Sequence, residues 1–300
     1  MFNKQGTLPA HLAILGANLI YGLNYVIAKG IMPDFMAPRT IIFFRVAGAA
    51  IVFWIIASII KPEKVNRGDM KKLFAAAFFG IALNQIMFFE GLNLTTPINA
   101  SIIMVGTPIL VLVFSHFILK EGLTRLKILG IVLGSTGAFW LILKSGSFSF
   151  SSDTMLGNVF ILINASSYAL FLVLVKPLMR KYSPITIMKW LFTFGLVYVI
   201  PVSAKLVVQT NYAVIPFNIW MSITYVVLFT TVVAYLLNNY SLKLVSPTVN
   251  SAYIYLQPFL ATVVALSLGK DVLTWVEVSA AVLIFAGVFF VSRPEKKQLL

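Results

Sequence analysis

Apolar residues run along this chain in blocks longer than a soluble fold uses. The stretch FFEGLNLTTPINASIIM, residues 88–104, shows the pattern: an apolar run reaches Glu90, a polar patch with Pro97 follows, and the chain turns apolar again. Ten such blocks can be marked off, at 8–30, 38–60, 71–92, 96–119, 125–144, 154–179, 184–208, 217–241, 246–268 and 273–292. At a helical rise of about 1.5 Å per residue, each can cross about 30 Å of hydrocarbon. The punctuation between them is short and polar, as in KPEKVNRGDMKK, KEGLTR and RKYSP. The strict alternation over about ten residues that marks a membrane β-barrel is missing, so the crossings read as helices.

Composition agrees. The chain is 60% hydrophobic and 11% charged, with a mean hydropathy of +0.95. That leaves too few charges to cover a soluble globule of 300 residues, so hydrocarbon must be the solvent for much of the surface. The expected class is an all-α integral membrane protein with ten transmembrane helices. The formal charge of +14 then reads as basic residues collected in cytoplasmic loops rather than as a nucleic-acid footprint. With the N-terminus cytoplasmic, sixteen of the 23 Lys and Arg fall on that side and five on the other, leaving Arg45 and Lys189 inside spans. Both termini are therefore expected in the cytoplasm, and the protein in the cytoplasmic (inner) membrane. MFNKQGTLPAHLAIL enters the first span without a small-residue cleavage site, so it is expected to be a helix and not a removed signal. There are no cysteines, hence no disulfide framework and no thiolate metal site, and no cofactor motif is present.

The chain also repeats itself. Shifted by 150 residues, LNLTTPINASIIMVGTPIL (92–110) lies over LKLVSPTVNSAYIYLQPFL (242–260), and KEGLT (120–124) over KDVLT (270–274). Pro97 meets Pro247, Pro108 meets Pro258 and Gly137 meets Gly287. With a small shift, IYGLNYVIAKGIM (20–32) matches SYALFLVLVKPLM (167–179). Two five-helix repeats are expected, at 1–147 and 148–300. Five is odd, so the second copy enters from the opposite face: the loop after the second span is basic, while QTNYAVIPF after the seventh carries no positive residue. Inverted repeats give alternating access a geometric basis.

Ten helices in this order, YGLN and Lys29 in the first span, the prolines of the fourth and ninth, and KEGLT closing the first repeat resemble the EamA family of the drug/metabolite transporter superfamily. The resemblance covers residues 10–292. It implies export or exchange of small metabolites, often amino acids or drugs, through a central cavity lined by helices 1–4 and 6–9, with helices 5 and 10 peripheral. Tyr21 stands where a Trp is common in the family, and Ala169 where the first copy has Gly22.

Polar residues inside the spans mark where a solute would sit. Tyr21 and Asn24 share a face of the first span, and Asn164 and Tyr168 share one of the sixth. Asn84 and Gln85 lie in the third, Tyr235, Asn238 and Asn239 in the eighth, and Asn250, Tyr253, Tyr255 and Gln257 in the ninth. Amides in membranes also hold helices together. Spread over both repeats, they favour a shared wet cavity, with Tyr21, Asn24, Arg45, Asn84, Asn164, Tyr168, Tyr253 and Gln257 as its candidate contacts. Pro108 and Pro258 are expected to kink matching helices and act as gates. Gly130, Gly134 and Gly137 read as a close helix contact.

A charge inside the bilayer must pair, face a cavity or snorkel. Lys189 lies near enough to an interface to snorkel. Glu90 approaches the outer end of the third span at a depth comparable with Arg45, and an ion pair between them is expected. A second reading stays open: a desolvated Glu90 takes a proton from outside, releases Arg45 and couples export to proton entry.

The functional expectation is a secondary transporter, an exporter or exchanger of small polar or amphipathic metabolites such as amino acids, working by alternating access. The alternatives are a nucleotide-sugar or phosphate-ester antiporter, which needs more cavity cations, and a multidrug exporter of the same superfamily. No concentrated reactive set suggests an enzyme. The expected partners are a small-molecule solute and the lipid bilayer, with no nucleic acid; oligomeric state is not legible.

Overall fold

A computed structural model describes residues 7–60, 63–144, 152–267 and 274–293. The described regular structure is helical throughout: α1 (Thr7–Lys29), α2 (Pro38–Ile59), α3 (Arg67–Ala77), α4 (Asn84–Leu94), α5 (Pro97–Val105), α6 (Thr107–Leu119) and α7 (Arg125–Lys144), then α8 (Ser152–Lys181), α9 (Pro184–Gln209), α10 (Phe217–Tyr225), α11 (Ala234–Leu244), α12 (Pro247–Ala252), α13 (Leu256–Ser267) and α14 (Trp275–Ser292). A π-helical segment, Phe78–Leu83, joins α3 to α4, and another, Val226–Val233, joins α10 to α11.

Seven helical rods among the described residues are long and apolar enough to cross a membrane: Leu8–Lys29, Pro38–Ile59, Arg67–Leu94, Asn99–Leu119, Thr154–Lys181, Pro184–Gln209 and Phe217–Leu244. The other three expected spans are helical where described, as α7, α12 with α13, and α14; part of the link before α14, with Lys270, lies outside the described residues. Large apolar side chains such as Ile55, Phe117, Val208 and Phe285 stand on the outside, as a hydrocarbon solvent allows.

Local sequence explains the helix starts. Proline occupies the first turn of α2, α5, α6, α9 and α12, where its missing N–H costs nothing. Thr96, Ser183 and Ser246 cap α5, α9 and α12 by accepting from the backbone N–H three residues on. The regular α-helical path is broken beside Pro108 and Pro258, where each ring removes a backbone N–H donor. Each follows an interruption: Gly106 separates α5 from α6, and a 3-10 turn, Tyr253–Tyr255, separates α12 from α13. The chain breaks just upstream and the proline fits the first turn of the new helix.

Packing pairs the two parts of the chain. α2 lies along α9, α4 on α8, α1 on α11, and α7 on α14. The α7–α14 contact is made by glycine. A Cβ on Gly287 would stand 2.6 Å from the backbone N of Gly134 and 2.7 Å from the carbonyl O of Gly130, so the two backbones touch. Two lysines play matching parts. Lys29 Nζ donates to the carbonyls of Leu92, Asn93 and Thr95 at the end of α4, at 2.8, 2.8 and 3.2 Å. Lys176 Nζ donates to those of Leu242, Lys243 and Val245 at the end of α11. Each ammonium caps a helix C-terminus, whose carbonyls carry partial negative charge.

Candidate functional site: a polar cavity between the two parts of the chain

The packing of α1, α2, α4 and α5 against α8, α11, α12 and α13 leaves a partly open cavity lined mainly by polar and aromatic side chains. Seven of the eight expected contact residues line it: Tyr21, Asn24, Arg45, Asn84, Asn164, Tyr168 and Gln257. Tyr253 does not. It stands in the 3-10 turn between α12 and α13, and its hydroxyl lies 2.6 Å from Nδ1 of His11. The cavity face of this segment is instead Asn250, Ile254 and Gln257. These are spaced four and three apart, so Tyr253 lies one residue round the helix from that face.

Arg45 is the only formally charged side chain on the wall among the described residues. It is buried, its Nε donates to Thr231 Oγ1 at 2.8 Å, and its guanidinium lies 4.8 Å from the Phe89 ring centre. Thr231 in turn donates to the Val226 carbonyl at 2.8 Å, inside the π-helical segment. A widened turn in the rod Phe217–Leu244 therefore supplies the oxygen that aims the arginine. Tyr21 and Tyr235 stand beside it, their rings edge-to-face with centres 6.4 Å apart.

The expected ion pair between Arg45 and Glu90 is not formed. Glu90 bonds Arg39, at 2.6 Å from Nε to the carboxylate. Depth explains the difference: Arg39 is at the second position of α2, whereas Arg45 lies six residues further in, about 9 Å deeper at 1.5 Å per residue. Glu90, four residues from the end of α4, matches the shallower residue. Arg45 thus has no carboxylate partner among the described residues, and protonating Glu90 would not release it.

The amides divide into two sorts. Asn18 donates to the Ile14 carbonyl and accepts from Gln257 Nε2, both at 2.8 Å, while Tyr25 donates to Gln257 Oε1 at 3.3 Å. This chain ties α1 to α13 as helix-to-helix glue. Asn164 and Asn250 do something else. Asn164 Nδ2 donates to the Asn84 carbonyl at 2.7 Å, and Asn250 Nδ2 to the Asn238 carbonyl at 3.2 Å. Those bonds fix which way each amide points. They leave Oδ1 of Asn164 and of Asn250 without a protein donor, as are Asn24 Oδ1 and Thr230 Oγ1. The wall therefore offers one cation, several buried acceptors that call for N–H or O–H donors from a solute, and the amide N–H groups of Gln85 and Asn238.

Asn18, Tyr25, Phe88, Met104 and Thr230 also line the cavity but were outside the expected set. Asn18 and Tyr25 were within reach of the same reasoning, since Ile14, Asn18, Tyr21 and Tyr25 form one helical stripe. Met104 and Thr230 carry no comparable signal.

The comparisons with known proteins bear on this arrangement. The model of the EamA-like transporter family matches the chain twice, over residues 8–143 and 155–293. This chain belongs to the EamA-like transporter family. An uncharacterized transporter of Bacillus subtilis (strain 168), YyaM, is 25% identical over 291 residues, covering 95% of this chain and 94% of its own. YetK of the same strain, also an uncharacterized transporter, is 24% identical, covering 97% and 87%. One of Archaeoglobus fulgidus is 24% identical, covering 86% and 90%. A solved crystal structure at 15% identity superposes with a TM-score of 0.74, covering 96% of this chain and 98% of its own, which shows a shared fold. The EamA protein is thus a multi-pass membrane transporter, and the cavity is its candidate site.

One end of the bundle is tied across the two parts of the chain by carboxylates. Asp69 pairs with Lys181 and accepts from the Tyr182 hydroxyl at 2.8 Å. Glu63 accepts from the Ser183 backbone N–H at 2.9 Å, and Glu121 from Thr248 at 3.0 Å. Partial burial pushes the Glu63 pKa up, but hydrogen bonds from Thr186 and Ser183 and the charge of Lys243 outweigh it and hold the carboxyl below its ordinary value. A carboxyl lowered by folding adds stability above its unfolded pKa, near 4.3, and that contribution is lost as pH falls through the folded value. Melting in detergent from pH 7 towards pH 3 should therefore show a steeper acid fall in the parent than in Glu63→Gln. Parallel curves would remove Glu63 from this role.

Proposed function

We propose that this EamA protein is a ten-helix secondary transporter that exports or exchanges a small solute with a carboxylate at one end and N–H donors at the other. An amino acid is the simplest such solute. The observation that carries this is Arg45, a buried cation without a carboxylate partner, sharing its cavity with the donor-seeking oxygens of Asn24, Asn164 and Asn250. A solute carboxylate would take the guanidinium N–H groups that Thr231 leaves free, and an ammonium or amide would satisfy the asparagines. Tyr21, Tyr25, Phe88 and Tyr168 would pack against its apolar part.

Alternating access would use two inverted halves, residues 1–147 and 148–300, with both termini cytoplasmic. The double match of the family model, the paired π-helical segments and the matched Lys29 and Lys176 caps support that division. The contact of α1 with α11 has its counterpart in that of α8 with α4, which is what exchange of halves requires. In this topology the links at Asp69, Glu63 and Glu121 close the cytoplasmic end. They would break as the cavity opens inward, and the interruptions before Pro108 and Pro258 would serve as hinges.

The test is counterflow in proteoliposomes loaded with a mixed pool of amino acids and metabolites, with exchanged species identified by mass spectrometry. Saturable exchange of zwitterionic or carboxylate-bearing solutes is the expected result. Flux that rises linearly with concentration would mean a channel. Exchange restricted to phosphate esters would favour the antiporter reading, which the single cavity cation speaks against, and exchange of hydrophobic cations alone would favour a multidrug exporter.

A further inference from the structure

A second cation lies inside a span and has no part in the cavity. Lys189 is five residues from the start of α9, and its ammonium rests on two indoles, 4.6 Å from the Trp54 ring centre and 5.3 Å from that of Trp190. Among the described residues it forms no ion pair. None of its three N–H donors has a protein acceptor there either. The Trp54 indole is fixed: its Nε1 donates to Thr193 Oγ1 at 2.9 Å, and Thr193 donates to the Lys189 carbonyl at 2.7 Å. Trp54 is 46% exposed on the outer surface of the α2–α9 pair, the surface that meets lipid.

Depth and chemistry select the occupant. α9 has 26 residues, about 39 Å at 1.5 Å per residue, so each end projects about 4 or 5 Å beyond a 30 Å hydrocarbon core. Lys189 is then only about 3 Å inside the boundary, and its side chain is long enough to meet a phosphate there. The aromatic faces that would attract a choline group are already covered by the lysine ammonium. An ammonium with no protein carboxylate beside it among the described residues suits an anion.

We propose that Lys189, Trp54 and Trp190 form a seat for the phosphate of an anionic phospholipid, with the lipid's acyl chains lying over the indoles. The seat is independent of the transported solute and stands or falls without it.

The two tryptophans report on the site. In a variant with Trp140, Trp220 and Trp275 replaced by phenylalanine, emission would come from Trp54 and Trp190 alone. Quenching is read in nanodiscs as phosphatidylcholine is exchanged for chain-brominated phosphatidylglycerol, and separately for chain-brominated phosphatidylcholine. The brominated anionic lipid should quench at several-fold lower mole fraction, Lys189→Arg should keep that preference, and Lys189→Gln should bring the two lipids to equality. Equal quenching in the parent, or a preference that survives Lys189→Gln, would overturn the assignment. Should Lys189→Gln fail to fold, the parent and Lys189→Arg still decide, since both must prefer the anionic lipid. Orthophosphate added to phosphatidylcholine discs should leave the emission unchanged; a saturable change would make this a site for free phosphate instead.

Discussion

Arg45→Gln should cut solute exchange, measured as maximal rate over half-saturation concentration, by roughly 10- to 150-fold. The size follows from losing a charge-assisted hydrogen bond, worth about 1.5–3 kcal/mol, at 1.4 kcal/mol per tenfold. The glutamine is short and neutral, so it removes both the charge and the two-pronged geometry that suits a carboxylate. Arg45→Lys keeps charge but not the fork, and should fall between the parent and Arg45→Gln. Selectivity should also move: an amidated analogue, poor with the parent, should compete as well as the free acid in Arg45→Gln. Stability should hold or rise, because a buried cation without a carboxylate costs desolvation energy. A large fall in folded yield with unchanged transport per folded molecule would mean that Arg45 braces the π-helical segment through Thr231 and does not meet solute.

Gly287→Val should be the most damaging single change to the fold. The first added carbon would meet backbone atoms of Gly130 and Gly134 at 2.6–2.8 Å, and backbone cannot swing aside as a side chain can. α7 and α14 would have to separate. The upper range of overpacking, about 3 kcal/mol, is the expected cost. At about 2–4 °C per kcal/mol for a chain of this size, the melting temperature should fall by about 6–12 °C. Gly16→Ala is the control: its added carbon would meet only Leu237 Cδ1, at an ordinary 3.6 Å, and the melting temperature should scarcely move. If Gly287→Val melts with the parent, the helices do not approach as closely as described.

The membrane class and helical character were legible because hydropathy in blocks of about twenty residues leaves few alternatives. The glycine contact was legible too, since small residues at helical spacing have one common use in a membrane. Much of the cavity wall followed from polar residues sharing helix faces. Extending the Tyr21 face by one turn each way would have added Asn18 and Tyr25. Where chemistry was followed in place of the helical face, the reading failed: Tyr253 looked apt for a solute, but the 250–254–257 stripe excludes it. The Glu90 partner differs because the depths of Glu90 and Arg45 are not comparable: α2 carries Arg45 deeper than Glu90 reaches and leaves Arg39 at its level. The widened turns at Phe78–Leu83 and Val226–Val233 had no signature in the hydropathy pattern. With them went the contact from Thr231 to Arg45.

Alternate opening of one cavity is the claim on which the rest depends, and the absence of native cysteines makes it directly measurable. Met104 lines the cavity without a proposed role in binding. Met104→Cys, reconstituted in vesicles of known orientation, would be exposed to a membrane-impermeant maleimide from each side in turn. The account predicts labelling from both sides, slowed by solute, and faster from the cytoplasmic side when Asp69→Asn loosens the link to Lys181 and Tyr182. Labelling from one side only, in the parent and in Asp69→Asn alike, would contradict it.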